Sequence, residues 1–115
     1  MAQVDLSYLE EITGGDQEMI IEMLDLFISD IPEHLKKIKG FYDEKNLIDM
    51  GKEAHKVKPT LQYVGFFDMF ELIKQLEAYG REENDSEEIP SIISKLETMG
   101  EVGVPLLKAK KEELS

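Results

Sequence analysis

At 115 residues, 42% of them hydrophobic, the chain has the length and apolar content for one domain, spanning 1–115, built around one modest core. Its 25 acidic residues against 13 basic ones give a net charge of −12, which repels phosphate backbones and anionic lipid head groups and argues against nucleic acid or a membrane surface as partner. The absence of cysteine removes disulfides, thiolate zinc sites and cysteine nucleophiles together, so a reducing cytoplasmic setting is the expectation. The opening MAQVDLSYLEE carries acids where a signal peptide needs a basic flank and an apolar run, and no later stretch approaches membrane-spanning length.

Glycines and polar clusters at Gly14-Gly15, Gly40, Gly65 and Gly80 to Ser86 separate segments whose apolar residues recur every three or four positions. No segment alternates with period two, so the expected class is all-α: an antiparallel four-helix bundle with a short additional N-terminal helix. That first helix spans about Asp5 to Thr13, with Leu6, Leu9 and Ile12 on one side and the glycine pair as its stop, and is placed to lid the bundle. The second opens at Asp16, an N-cap, and runs Ile20, Leu24, Phe27, Ile31, Leu35 and Ile38 along one stripe. Lys36, Lys37 and Lys39 are placed to favour its C-terminal dipole, and Pro32 predicts a bend or break near Ser29 to Ile31. A third helix is expected over Glu44 to Val64, a fourth over Phe66 to Arg81 and a fifth from Ser86 or Glu87 towards Glu112. Phe66, Phe67, Met69, Phe70, Ile73, Leu76 and Leu72 or Tyr79 are the core candidates of the fourth; Ile89, Ile92, Ile93, Leu96 and Met99 are those of the fifth. Beyond Gly100 the periodicity weakens, and Gly103 and Pro105 are expected to interrupt the tail.

Most catalytic arrangements are missing: there is no phosphate-cradling glycine loop, no GxSxG elbow, no HExxH pair and no EF-hand pattern. A di-iron bundle needs Glu three residues before His, but Ile31 precedes His34 and Lys52 precedes His55 at that spacing, and no metal site is expected. The acidic stretch Arg81 to Glu88 reads as a solvated loop. His34, beside core-facing Leu35 with no acid or base arrangement around it, reads as a boundary or solvent residue. His55 differs, because Leu47, Met50, Ala54, Val57, Leu61 and Val64 fix the buried stripe of the third helix and leave the imidazole just off it. Its helical neighbours Gly51, Lys58, Pro59 and Gln62 include no large apolar group. Gly51 forms a low shelf for a partner's backbone, Lys58 can attract an anion carried on the imidazole, and Lys52 and Lys56 make the region a local basic island. The chemistry this suggests is a nucleophilic histidine whose remaining catalytic groups a partner supplies.

His55-Lys56-Val57-Lys58-Pro59-Thr60-Leu61-Gln62-Tyr63-Val64-Gly65 resembles the phosphorylation-site motif of histidine-containing phosphotransfer domains, approximately H-x-L-K-G-S-S-x-x-L-G. His55, Lys58 and Gly65 match, and Val57, Thr60 and Val64 are conservative replacements. Ala54, the Gly14-Gly15-Asp16 start of a long helix and the chain length extend the likeness over nearly the whole chain. Pro59 departs from the family's glycine and is expected to kink the third helix by deleting the amide that would bond the His55 carbonyl; Leu61 departs from a second small residue.

The resemblance implies a shuttle in which His55 accepts a phosphoryl group from a receiver-domain aspartate and hands it to another. Lys58 would stabilise the phosphoryl oxygens, while Thr60 and Gly65 would serve packing and helix termination. The chain itself would carry no cofactor, magnesium being held by the receiver, and a sensor or hybrid histidine kinase would stand upstream. Gly51, Lys52, Lys56, Pro59 and Gln62 would touch the partner, joined by surplus apolar residues of the second helix, Met19, Met23 and Leu26 on one side and Ile21 and Ile28 on the other, unless the first helix covers them. A monomer is implied, although that surplus leaves room for a dimer. Two other readings stand beside the shuttle: a helical adaptor that docks receiver or kinase domains without transfer, favoured by Pro59, and a metal-dependent bundle enzyme, which would need ligating carboxylates the sequence does not offer.

Overall fold

The computed structural model describes residues 4–115; Met1 to Gln3, the start of the opening segment read above, lie outside the described residues. The described residues form five helices and no strand: α1 (Ser7–Thr13), α2 (Gln17–Asp43), α3 (Leu47–Tyr63), α4 (Phe67–Arg81) and α5 (Ile89–Leu114). α2 to α5 form the antiparallel bundle in cyclic order, α3 packing on α2 and α4, and α5 closing the ring against both. The long axis of 43 Å is set by α2, whose 27 residues span about 40 Å at the α-helical rise.

The α2 stripe is buried throughout, as are Met50, Ala54, Val57, Leu61 and Val64 on the third segment. Leu47 of that stripe is half-buried. From α4 and its entry, Phe66, Met69, Ile73 and Leu76 reach the core, whereas Phe67 is exposed; Phe70, Leu72, Tyr79 and Met99 are half-buried against it. On α1, Leu6 and Leu9 are buried but Ile12 is exposed. Tyr8 stacks on Tyr63 with centroids 5.4 Å apart, and Tyr63 in turn stacks on Phe27 at 5.9 Å, so α1 is pinned to one end of the bundle.

Asp16 and Asn46 cap α2 and α3, each side chain accepting from an amide three residues on at 3.2 Å. Four helices end alike, in a left-handed residue whose amide reaches back three positions while the next amide reaches back five: Gly14/Gly15, Lys45/Asn46, Gly65/Phe66 and Glu83/Asn84. Two of these four stops are not glycine, which explains why Gly40 misleads as punctuation. It lies inside α2, which continues to Asp43, so the third helix begins at Leu47 rather than Glu44. Lys36, Lys37 and Lys39 therefore fall short of the last turn, and Lys39 instead pairs with Asp43 at 2.9 Å. Gly65 carries φ +79°, and a Cβ there would stand 2.5 Å from the Asp5 Cβ. The Asp5 amide donates to the Val64 carbonyl at 2.9 Å, so this glycine both ends α3 and seats the entry to α1.

The prolines do not break their helices. α2 is continuous through Pro32, α3 through Pro59 and α5 through Pro105, because tertiary packing on both sides outweighs one missing donor. The tail is likewise ordered helix. A Cβ on Gly100 would lie 3.0 Å from Leu35 Cδ1 and one on Gly103 2.8 Å from the Phe66 ring, so these glycines are seats for side chains of the opposite wall. Leu107 is fully buried beyond them, and Lys111 pairs with Asp25 of α2 at 2.5 Å. α5 starts later than expected, at Ile89, with Pro90 in its first turn and Ser86 bonding the Glu88 amide just ahead of it. Among the described residues no helix is long and apolar enough to cross a membrane.

Candidate functional site

The two helices that carry the site cross at glycine against glycine. A Cβ on Gly51 would meet Gly80 Cα at 2.9 Å, and one on Gly80 would meet Gly51 Cα at 2.5 Å and the Leu47 carbonyl oxygen at 2.6 Å. α3 and α4 thus touch backbone to backbone, and Gly51 is buried in the crossing instead of offering a shelf to a partner.

One turn beyond Gly51 stands His55, its side chain 69% exposed, and one turn before Gly80 stands Glu77, 17% exposed. The close crossing lets them meet: His55 Nδ1–H donates to Glu77 Oε2. A carboxylate accepts only, so the proton lies on Nδ1 and the ring's lone pair on Nε2, away from the clamp. Lys58 Nζ donates to the other oxygen, Glu77 Oε1, at 2.6 Å. Burial pushes the Glu77 carboxyl up, but hydrogen bonds and charge from Lys58 and His55 outweigh it and hold the group below its ordinary value. The lysine expected to wait for an anion is thus already fixed on the carboxylate that orients the imidazole.

Beside this clamp lies a groove of about 370 Å³ whose wall includes His55, Glu77, Lys52, Arg81 and the exposed Ile48, with Gly51 and Gly80 between them. Lys52 and Arg81 have no carboxylate partner among the described residues, so the groove holds two unpaired cations although the chain is acidic. Pro59 and Gln62 are exposed one and two turns along α3 from His55. Lys56 is exposed too but reaches Glu53 at 3.7 Å, away from the clamp. Met19 and Leu26 are 47% and 57% exposed on α2, and Met23 is half-buried; Tyr8 and Ile12 of α1 add exposed apolar surface rather than covering them. Glu77 and Arg81 belong to the site and are missed by sequence reading, since both stand on a different helix from the motif.

His34 is the boundary residue of the two alternatives, half-buried, and it has an acidic partner that its own helix does not show. Its Nδ1 is hydrogen-bonded to Glu53 Oε2 at 2.5 Å, with the two side chains 21% and 5% exposed, and the pair joins α2 to α3. Among the described residues no three His, Asp or Glu side chains gather as a metal-binding group.

Fold and site together define a helical bundle that presents one exposed histidine beside a shallow groove. Residues 22–102 match the Hpt domain, well over half of the chain, and the chain belongs to this family. It is also similar to the phosphorelay intermediate protein rdeA of Dictyostelium discoideum, 28% identical over 75 residues, a match covering 65% of this chain and 30% of that protein. No solved structure matches the chain.

Proposed function

We propose that the protein is a phosphoryl carrier of a two-component phosphorelay and that His55 is its phosphoacceptor. The observation that carries this reading is the exposed His55 imidazole with Nδ1 tied to Glu77, inside the segment that matches the Hpt domain. Nε2 attacks the phosphorus of a receiver's aspartyl phosphate; the N–P bond forms as the acyl-phosphate P–O bond breaks, and aspartate leaves as a carboxylate. Glu77 holds the Nδ1 proton and offsets the positive charge that grows on the ring. Lys58, fixed on the same carboxylate, and the unpaired Lys52 and Arg81 supply the cations for the arriving phosphoryl oxygens. The reverse sequence delivers the group to a second receiver.

In this reading the receiver brings the magnesium, the domain needs no cofactor of its own, and a sensor or hybrid histidine kinase loads the relay. The receiver docks over Pro59, Gln62, Lys52 and Lys56 and the exposed apolar residues Met19 and Leu26, and the protein acts as a cytoplasmic monomer. The likeness to a phosphorelay intermediate protein supports the relay. The test is intact mass after incubation with a phosphorylated receiver domain and magnesium, beside His55→Gln. One phosphoryl group gained, lost in acid and absent from the variant is the expected result. No gain despite receiver binding and a folded helical spectrum would instead favour an adaptor that docks without transfer.

A further inference from the structure

The second histidine repeats the arrangement of the first. His34 Nδ1 is held on a glutamate of the neighbouring helix, Glu53, as His55 Nδ1 is held on Glu77. In each pair a lysine of α3 approaches the same carboxylate, Lys56 at 3.7 Å from Glu53 and Lys58 at 2.6 Å from Glu77. Glu53 is more deeply buried than Glu77, 5% against 17% exposed. With Nδ1–H given to the carboxylate, the lone pair of His34 also resides on Nε2. That nitrogen has no hydrogen-bond partner, and no buried side-chain nitrogen or oxygen among the described residues lacks one, so Nε2 opens to solvent. Lys37 stands one turn along α2 on the same face, opposite Asp30 one turn before.

We propose that His34 is a second phosphoryl-accepting histidine, served by small phosphoramidate donors. Its side chain is 21% exposed where His55 is 69%, which admits a small molecule to Nε2 but denies the footprint a docking domain needs. With phosphoramidate the Nε2–P bond forms as the donor's N–P bond breaks, ammonia leaves with that electron pair, and the proton stays on Nδ1, donated to Glu53. The site is independent of the receiver-dependent transfer assigned to His55, and its test uses no receiver.

The experiment treats the full chain and its His55→Gln variant with potassium phosphoramidate at neutral pH and follows intact mass, with fragmentation under neutral conditions to locate the adduct. The expected result is one acid-labile phosphoryl group on His55→Gln, located at His34, arriving several-fold more slowly than the group on His55 in the unsubstituted chain. A variant carrying both His55→Gln and His34→Gln, checked for its helical spectrum, gains none. Failure of His55→Gln to gain a group, or an adduct on any other residue, overturns the proposal. Because the decisive sample retains His34 and Glu53, the outcome does not depend on whether the double variant folds.

Discussion

Substituting Gly80 by alanine tests the crossing that builds the site. The new Cβ would lie 2.5, 2.6 and 2.7 Å from Gly51 Cα, the Leu47 carbonyl oxygen and the Gly51 nitrogen, all backbone atoms, so no rotamer can yield. Ordinary contact begins at 3.4 Å, and the helices must separate by close to the difference, on the order of 1 Å. Overpacking of this kind costs about 1–3 kcal/mol, here at the upper end because only a rigid helix can move, while alanine returns about 1 kcal/mol of helix propensity. The net is a loss of about 2 kcal/mol, or about 8 °C in Tm for a chain of this size. Gly40→Ala is the control: a Cβ there meets nothing within 4 Å in the interior of α2, so it should stabilise by about 0.5–1 kcal/mol. Thermal denaturation of both variants gives the comparison, and histidine ¹⁵N shifts report whether Nδ1 of His55 still donates to Glu77. Were Gly80→Ala as stable as Gly40→Ala, with the His55 signal unmoved, the backbone contact would not be what sets the site.

Leu107→Ala should cost about 2–5 kcal/mol in urea denaturation, because Leu107 is fully buried; a change under about 0.5 kcal/mol would mean that α5 frays beyond Gly100. Glu77 titrates below its ordinary 4.5 in the folded protein, so the stability it contributes is present above that value and is lost as pH falls through the lowered one. Its carboxyl ¹³C shift should show a midpoint below 4.5, with His55 and Lys58 released together at that pH, whereas a midpoint at or above 4.5 would contradict the clamp.

The core was legible because helical periodicity is a local property: the α2 stripe from Ile20 to Ile38 is buried residue for residue. Phe67 shows the limit, since hydrophobicity places a residue on a face only when the helix start is known, and α4 begins with Phe67 turned outward and Phe66 inward. Sequence alone reads most of the glycines as stops and Gly51 as an open shelf, yet their meaning here depends on what lies opposite. Gly14 and Gly65 end helices at positive φ, Gly100 and Gly103 receive Leu35 and Phe66, and Gly51 and Gly80 receive each other. The stops at Lys45 and Glu83 bear no such mark, because a left-handed residue costs only about 1–2 kcal/mol when the surrounding packing requires it.

His55 stood out from its own helix, but the group that orients it did not, since Glu77 is 22 residues away and resembles any other helical acid. The signal that reveals it is register. In antiparallel helices that touch at Gly51 and Gly80, one turn forward along α3 faces one turn back along α4, which sets His55 opposite Glu77 once the glycines are paired. The same geometry puts Arg81, just past the crossing, on the groove with Lys52. One backbone contact thus fixes which carboxylate accepts from Nδ1–H, leaves the ring's lone pair on Nε2, and sets Lys52 and Arg81 on the same groove. The motif around His55 singles out that histidine, whereas the glycine pair determines the company it keeps.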